Sequence, residues 1–350
     1  MFICREIFLE MDIREVSSEQ LQEFMNQHGE KSFRVKQLQE WLWKKNVISF
    51  DEMLNIPKNL QEKLRENFSF LPTEIEAESV STDKTIKFLF RLFDEEQIEG
   101  VLIPWQNKVT ACLSSQVGCP LKCSFCATGK IGFIRHLRFW EIIDQYVLMN
   151  RRAIQTFQIP VSNIVFMGMG EPLLNYDNLI KAIHTLTSPQ GNALSPSRIT
   201  ISTVGIITGI RKLADDRCKA NLAVSLHLAD NDKRSEIIPA NITNPLHELQ
   251  DALRYYVEKT NQRITIEYLL LNNINDSKED AEKLCRFCKV FPVKINIIDY
   301  NATRALYHSS TPEKKGAFKA YLESKNLIVN VRQSRGKDIS AACGQLAKKK

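Results

Sequence analysis

The second half of the chain alternates short apolar segments with amphipathic segments, and this alternation constrains the fold more than any other sequence feature. The apolar segments have the length and branched side chains of buried strands, and the segments between them have helical periodicity. Candidate strands are 163–167, 198–203, 220–226, 263–270 and 293–298, and candidate helices are 139–149, 179–186, 246–257 and 281–287. Such an order predicts a parallel sheet, closed or partly closed into a barrel, with functional groups at the carboxyl ends of its strands.

The rest of the chain predicts smaller units around this barrel. Apolar residues recur at helical spacing from about 17 to 70, and residues 74–114 alternate like a meander of hairpins. We therefore expect an N-terminal helical module, a β-hairpin extension, a barrel core and a C-terminal segment, with the bounds 1–75, 76–115, 116–310 and 311–350.

The N-terminal module carries a run of basic side chains around its second helix. These are Arg34, Lys36, Lys44 and Lys45. A basic helical face can hold RNA through its phosphates, which makes this module a candidate RNA-binding domain. An ordinary solvated helix face explains the same residues equally well.

Composition and charge exclude few functions. The chain has 350 residues and a net charge of +6, which suits a nucleic-acid partner but also a solvated, lysine-rich surface. No apolar run approaches the ~20 residues that a membrane-spanning helix needs. Charged side chains interrupt the apolar pieces of residues 1–12, which argues against a secretory signal peptide. We therefore expect a cytoplasmic location.

Three cysteines stand on one short segment with the spacing C-x3-C-x2-C: Cys119, Cys123 and Cys126. Thiolates so close on one loop are poorly placed to pair with one another and well placed to bind a soft metal or an iron–sulfur cluster. A structural zinc site needs four ligands, usually in two separated pairs, so zinc is the weaker alternative. A four-iron cluster held by three cysteines leaves one iron open to a small molecule.

Polar residues follow most of the predicted strands. Gly170 and Glu171 follow the first strand, Ser202 ends the second, and the later strands are followed by Ser225, His227 and Asn301. Because the carboxyl ends of parallel strands meet at one end of a barrel, we expect these residues to share a ligand site. Taken singly each signal is weak, since Gly-Met-Gly also suits a tight turn and His227 also suits a buried core position.

Four cysteines outside the loop carry weaker signals. Cys112 lies just before the loop, and Cys343 stands beside a glycine near the C-terminus. A free cysteine is more often a small buried apolar residue than a nucleophile. Cys285 and Cys288 form a C-x2-C pair on a predicted helix, where a core position is favoured over zinc binding.

Together, the segments 114–129, 168–175 and 341–346 resemble the radical S-adenosylmethionine RNA methyltransferases that modify C2 of adenine in ribosomal and transfer RNA, the RlmN/Cfr family. The resemblance extends from about residue 33 to 346. It implies an α/β fold, a partial (βα)6 TIM-like barrel with an N-terminal helical module and a short antiparallel β extension. It also implies a [4Fe-4S] cluster and S-adenosylmethionine as cofactors. The implied partners are 23S rRNA, tRNA and a one-electron reductant, and the implied state is a monomer without membrane attachment.

The resemblance also implies a role for each site residue. The cluster ligands would be Cys119, Cys123 and Cys126. The cofactor pocket would be formed by Gly170, Glu171, Ser202, Ser225, Leu226, His227 and Asn301. Cys343 would take a methyl group from one S-adenosylmethionine. A radical made from a second would remove hydrogen from that methyl, which would then join the adenine ring. Cys112 would resolve this adduct through a transient disulfide with Cys343, and Glu99 would accept a proton.

Two alternatives stay open from the sequence. One is a methyltransferase of the antibiotic-resistance type that modifies C8 of adenine. The other is a zinc-binding RNA protein without catalytic activity.

Overall fold

Two hydrophobic cores organise the protein, a small one within the N-terminal helices and a large one around a ten-stranded sheet. The computed structural model describes residues 11–71, 73–302 and 306–347. Most of the segment 1–12, on which the expected location rests, lies outside the described residues. Among the helices that are described, none is long and apolar enough to cross a bilayer.

The N-terminal core is built by three helices, α1 (Ser18–Gln27), α2 (Phe33–Trp43) and α3 (Lys58–Asn67). Helix α1 begins with a capping box, in which Ser17 and Gln20 each accept the other's backbone N–H. The helical module was predicted from apolar spacing, and this prediction is confirmed. Lys36, Lys44 and Lys45 are exposed on it, so RNA binding by this face stays a prediction.

A buried ionic network fixes this module to the main body. Arg14 donates to Asp12 and, through Nη1 at 2.5 Å, to Asp144 of the first barrel helix. Its guanidinium also lies 4.4 Å from the ring centroid of Trp140. All three charged side chains are buried, so their hydrogen bonds must replace the water that each has lost.

An antiparallel meander precedes the barrel. Its strands are β1 (Glu74–Val80), β2 (Ile86–Arg91), β3 (Gln97–Trp105) and β4 (Lys108–Cys112). The cysteine loop follows, between β5 (Gln116–Gly118) and the short helix α4 (Thr128–Ile131), and β6 (Phe133–His136) pairs back onto β5.

The barrel alternates helices and strands, as predicted. Its elements are α5 (Phe139–Phe157), β7 (Asn163–Phe166), α6 (Tyr176–Thr187), β8 (Ile199–Thr203), α7 (Ile207–Asp215), β9 (Asn221–Ser225), α8 (Asn231–Ile237), α9 (Leu246–Thr260), β10 (Ile264–Leu270), α10 (Lys278–Cys288), β11 (Val293–Asp299), α11 (Pro312–Ser324) and β12 (Ile328–Arg332). The sheet order is β1-β2-β3-β4-β7-β8-β9-β10-β11-β12, and every pair from β4 to β12 is parallel. The expected α/β, partly closed barrel with a helical module is confirmed.

Strand β4 belongs to both parts of the sheet. It pairs antiparallel with β3, where Cys112 lies opposite Val101, and parallel with β7, where Cys112 lies opposite Val165. The parallel sheet therefore starts before the cysteine loop. At its other edge β12 adds a strand that the apolar pattern did not predict, because only Val329 of its residues is buried.

We predict that Arg14→Ala lowers the free energy of unfolding by about 3–5 kcal/mol, because it leaves two buried carboxylates without their cation. Urea unfolding of the purified protein measures this loss. Arg65→Ala is the matched control, since Arg65 pairs with Asp51 on the surface and such pairs contribute at most about 1 kcal/mol. Equal losses in the two variants would contradict the role assigned to the buried network.

Candidate active site

One pocket opens at the carboxyl ends of the parallel strands. Nine of the predicted site residues line it. They are Cys119, Cys123, Cys126, Gly170, Glu171, Ser202, Ser225, His227 and Cys343.

Backbone hydrogen bonds hold the cysteine loop in shape. The Cys119 N–H donates to Gly132 O at 2.8 Å, the Ser124 N–H to Ile237 O at 3.0 Å, and the Cys126 N–H to Cys123 O at 3.1 Å. The loop is therefore fixed to Gly132, just before the hairpin strand β6, on one side and to helix α8 on the other.

The three loop thiols form a set of soft donors in one pocket. Burial raises the pKa of Cys119 to about 12 and also raises the pKa of Cys123, and the neighbouring thiols raise both further. Three sulfur donors from one loop, beside a cavity with room for a ligand, fit a four-iron cluster with one open iron. In the described part of the chain, no three His, Cys, Asp or Glu side chains are grouped closely enough to hold a single metal ion.

The C-terminal segment, residues 336–347, lies directly against this loop. The Ala127 N–H donates to Gly344 O at 2.8 Å, and Thr128 Oγ1 donates to Leu346 O at 2.6 Å. These bonds place Cys343 in the pocket that the loop cysteines line. Its side chain is accessible to solvent through the pocket, although protein surrounds it and raises its pKa.

Cys112 and Glu99 lie beside the pocket rather than in its described lining. Cys112 is buried at the end of β4, where burial raises its pKa to about 12 and the nearby Cys343 adds to the shift. Glu99 is buried on β3, where Oε1 lies 3.2 Å from Lys87 Nζ and Oε2 accepts the Ala347 N–H at 2.7 Å. Both residues thus lie next to the C-terminal segment, and their reactive roles stay predictions.

Of the residues expected to share a ligand site at the strand ends, all but Asn301 line this pocket: Gly170, Glu171, Ser202, Ser225 and His227. Glu171 accepts backbone N–H groups from Leu173 and Val204, and burial raises its pKa to about 7. Ser202 Oγ and Ser225 Oγ are 3.3 Å apart. These groups can offer a ligand both hydroxyl donors and a carboxylate acceptor.

His227 is a neutral side chain in this pocket. Its Nδ1 accepts the Leu269 N–H at 3.1 Å, and burial together with the charge of Arg234 lowers its pKa to about 3. Nε2 therefore carries the proton at neutral pH and can act as a donor.

Two residues predicted to form the pocket, Leu226 and Asn301, are not among the residues that line it. The backbone of Leu226 is hydrogen-bonded within the protein: its N–H donates to Glu267 O at 3.1 Å, and its carbonyl oxygen accepts from Arg234 Nε at 3.0 Å. Asn301 follows the pocket residue Tyr300, and its buried side-chain oxygen and nitrogen have no described partner. A buried amide without partners costs about 1–3 kcal/mol, so this site fits a polar ligand that would satisfy it.

The glycine at position 170 is explained by close packing. Its φ is +97°, and a Cβ there would lie 2.5 Å from Gln116 Cβ. The neighbouring Glu171 N–H donates to Gln116 Oε1 at 2.8 Å. Close approach of two backbone segments, rather than of a backbone and a ligand, therefore requires this glycine.

Three charged residues of the site carried no sequence signal: Arg234, Glu267 and Arg332. Arg234 is buried and joins the ends of β8 and β9 by donating to Val204 O and Leu226 O. In the sequence it stands among charged residues that resemble a solvated helix. Only the packing of α8 against the strand ends distinguishes it.

We predict that Gly170→Ala lowers the free energy of unfolding by about 2 kcal/mol or more, through a strained backbone and a clash with Gln116. Thermal or urea unfolding measures the change. Gly316→Ala is the control, because Gly316 lies within α11 and nothing lies within 4 Å of an added Cβ. This control should gain about 0.5–1 kcal/mol. A fully stable Gly170→Ala protein would contradict the packing explanation.

Two family models match the chain. The ribosomal RNA large subunit methyltransferase N-terminal domain matches residues 11–69, and the radical SAM superfamily matches residues 113–288. The first covers the helical module, and the second covers the cysteine loop and most of the barrel.

Similar proteins extend over the whole chain. A probable dual-specificity RNA methyltransferase RlmN of Christiangramia forsetii is 48% identical, over 100% of this chain and 99% of the relative. One from Pseudothermotoga lettingae, of the same description, is 41% identical over 96% of this chain and 97% of the relative. The crystal structure of a radical SAM methyltransferase from Sphaerobacter thermophilus superposes with a TM-score of 0.90 at 37% identity, covering 96% of this chain and 99% of that one.

Proposed function

Since the chain belongs to the RlmN family of dual-specificity RNA methyltransferases, within the radical SAM superfamily, we propose that it methylates C2 of adenosine in 23S rRNA and in tRNA. The methyl group would pass through a methyl-cysteine at Cys343 and a covalent adduct with the RNA. A one-electron reductant would be needed, and we propose that the enzyme acts as a monomer.

One observation carries this proposal above the others. The hydrogen bonds Ala127–Gly344 and Thr128–Leu346 hold Cys343 in the same pocket as three cysteines with the spacing of a cluster site. A structural cluster or a zinc knuckle would need no cysteine presented to a ligand cavity. A methyl carrier must lie within reach of both the radical source and the RNA base.

The pocket residues fit the two implied cofactors. Cys119, Cys123 and Cys126 would hold the cluster, and Glu171, Ser202, Ser225 and Asn301 would offer hydrogen bonds to S-adenosylmethionine. When bound, this pair supplies a carbon-centred radical, chemistry that protein side chains alone do not provide. The protein's own contribution is to position the reacting groups and exclude water.

Each reactive side chain has a distinct task in the proposal. Cys343, which is accessible in the pocket, carries the methyl group. Burial raises the pKa of Cys112, so this thiol must lose its proton before it attacks the Cys343 sulfur. The S–S bond forms as the bond between the Cys343 sulfur and the transferred carbon breaks, and that carbon takes up a proton to leave with the RNA as a methyl group. Glu99 accepts a proton, and its carboxylate is held in place by Lys87 and the Ala347 N–H.

The alternatives lack support of this kind. Zinc binding without catalysis is not favoured, because the radical SAM model spans the cysteine loop. Methylation at C8 is not favoured, because the relatives reported above are named as dual-specificity RNA methyltransferases RlmN.

We propose that the basic face of the helical module binds the RNA.

We predict that Cys123→Ala abolishes iron binding, since it removes one of three cluster ligands. Iron and sulfide analysis after anaerobic reconstitution, together with visible absorption, measures the loss. Cys285→Ala is the matched control, because Cys285 is a buried cysteine of α10 outside the pocket and should leave the cluster intact. A colourless parent protein containing zinc would refute the cofactor assignment.

We predict that Cys343→Ala abolishes RNA methylation while the cluster remains, because the methyl carrier is lost and its ligands are not. A deletion strain should lack 2-methyladenosine in nucleosides from 23S rRNA and tRNA. The parent gene should restore it, and Cys343→Ala should not. Mass spectrometry of nucleosides reads both results, and Cys218→Ala, outside the pocket, serves as control. Retention of 2-methyladenosine in the deletion strain would refute C2 methylation by this enzyme.

A further inference from the structure

A charge pair lies beside both reactive cysteines, and no role has been assigned to it above. Arg332, the last residue of β12, points Nη1 toward Glu267 Oε1 at 3.5 Å and toward Met167 Sδ at 3.9 Å. Glu267 and Met167 both line the pocket that Cys343 lines. The Cys112 thiol hydrogen-bonds with the backbone of Met167.

Glu267 is an unusual residue to bury at this position. Its side chain is 4% exposed, and Oε1 accepts a hydrogen bond from Asn296 Nδ2 at 2.9 Å in addition to the contact with Arg332. Oε2 is buried and has no hydrogen-bond partner among the described residues. Burying a carboxylate this incompletely satisfied costs free energy, so its presence on an otherwise apolar strand calls for a functional explanation.

The two charges act on the thiols in opposite directions. Burial raises the pKa of Cys343, Arg332 lowers it, and Glu267 raises it. Cys126 also raises the pKa of Cys343, and Cys112 is a further titratable group that interacts with it. Burial and Cys343 raise the pKa of Cys112, and Arg332 lowers it. Arg332 is therefore the cation that both thiols share.

We propose that Arg332 and Glu267 are positioning residues that control the ionisation of Cys343: Arg332 stabilises its thiolate, and Glu267 orients Arg332 and limits that stabilisation. The inference rests on the proposed role of Cys343 as methyl carrier, because the thiolate and not the thiol is the nucleophile. The proton leaves to solvent through the open pocket. Of the two tasks of Cys343, accepting a methyl group requires this ionisation, whereas the disulfide forms by attack of Cys112 on the Cys343 sulfur.

Alkylation of Cys343 tests the proposal without any methylation assay. Anaerobic holoenzyme is treated with iodoacetamide, whose carbon bonds to the thiolate as iodide leaves, and the rate is followed from pH 7 to 10. Trypsin releases residues 338–348 as a peptide with one cysteine, Cys343, so mass spectrometry reads this site alone. Arg332→Gln should slow alkylation about tenfold at neutral pH, and Glu267→Gln should accelerate it by up to about tenfold. Tenfold corresponds to a shift of about one pKa unit.

The opposite signs distinguish an electrostatic role from a structural one. Damage to the fold would expose Cys343 and accelerate alkylation in both variants, so slower alkylation in Arg332→Gln cannot arise from unfolding. Arg332→Lys keeps the charge and should keep most of the parent rate. Arg335→Gln removes a neighbouring cation that stacks on Trp105, away from both thiols, and should leave the rate unchanged.

Two results would overturn the proposal: an alkylation rate for Arg332→Gln within twofold of the parent, or a change of the same sign in both charge variants. Neither depends on whether Cys343 carries the methyl group. Full RNA methylation by Cys343→Ala would refute the proposed function instead, so the two failures are distinguishable.

Discussion

The pocket depends on hydrogen bonds between the C-terminal segment and the cysteine loop with the helix that follows it. These bonds join Ala127 to Gly344 and Thr128 to Leu346, one and three residues after Cys343. The segment is held at both ends as well. Asp338 accepts from Ser81 and Thr82 at the β1–β2 turn, and the Ala347 N–H donates to Glu99. Each bond contributes only about 1 kcal/mol, so the position of Cys343 results from several weak bonds acting together.

This arrangement gives the antiparallel extension a function beyond completing the sheet. Strands β2 and β3 supply Lys87 and Glu99, and β4 supplies Cys112, all beside the C-terminal segment. Because β4 pairs with β3 on one side and with β7 on the other, these groups are rigidly connected to the strand ends that line the pocket. The extension therefore connects the Glu99 carboxylate and the Cys112 thiol to the barrel.

The charges around the pocket come from elements far apart in the chain. Arg234 of α8 lies near Cys123, and Arg332 of β12 lies near Cys112 and Cys343. Much of the remaining lining is apolar, which strengthens the effect of each charge on the thiols. Each of these two cations therefore lowers the pKa of thiols whose pKa burial raises.

Patterns within one element were predictable from the sequence. Strands β7 to β11 appear close to the predicted positions, because strands buried on both faces read as continuous apolar runs; all seven residues of β10 are buried. Strand β12 was not predicted, since one buried residue in an edge strand leaves no such run. The parallel role of β4 was also missed, because an alternating pattern does not reveal which strands lie on either side.

By itself the sequence determined the alternation of strands and helices and the three-cysteine donor set, since both depend on residues near one another in the chain. The tertiary structure alone decided which distant groups lie together: Cys343 beside the cysteine loop, Glu99 beside the C-terminal segment, and Arg332 beside Glu267. The physical reason is that strand order, burial and long-range hydrogen bonds bring these groups together, and none of the three produces a periodic pattern in the sequence.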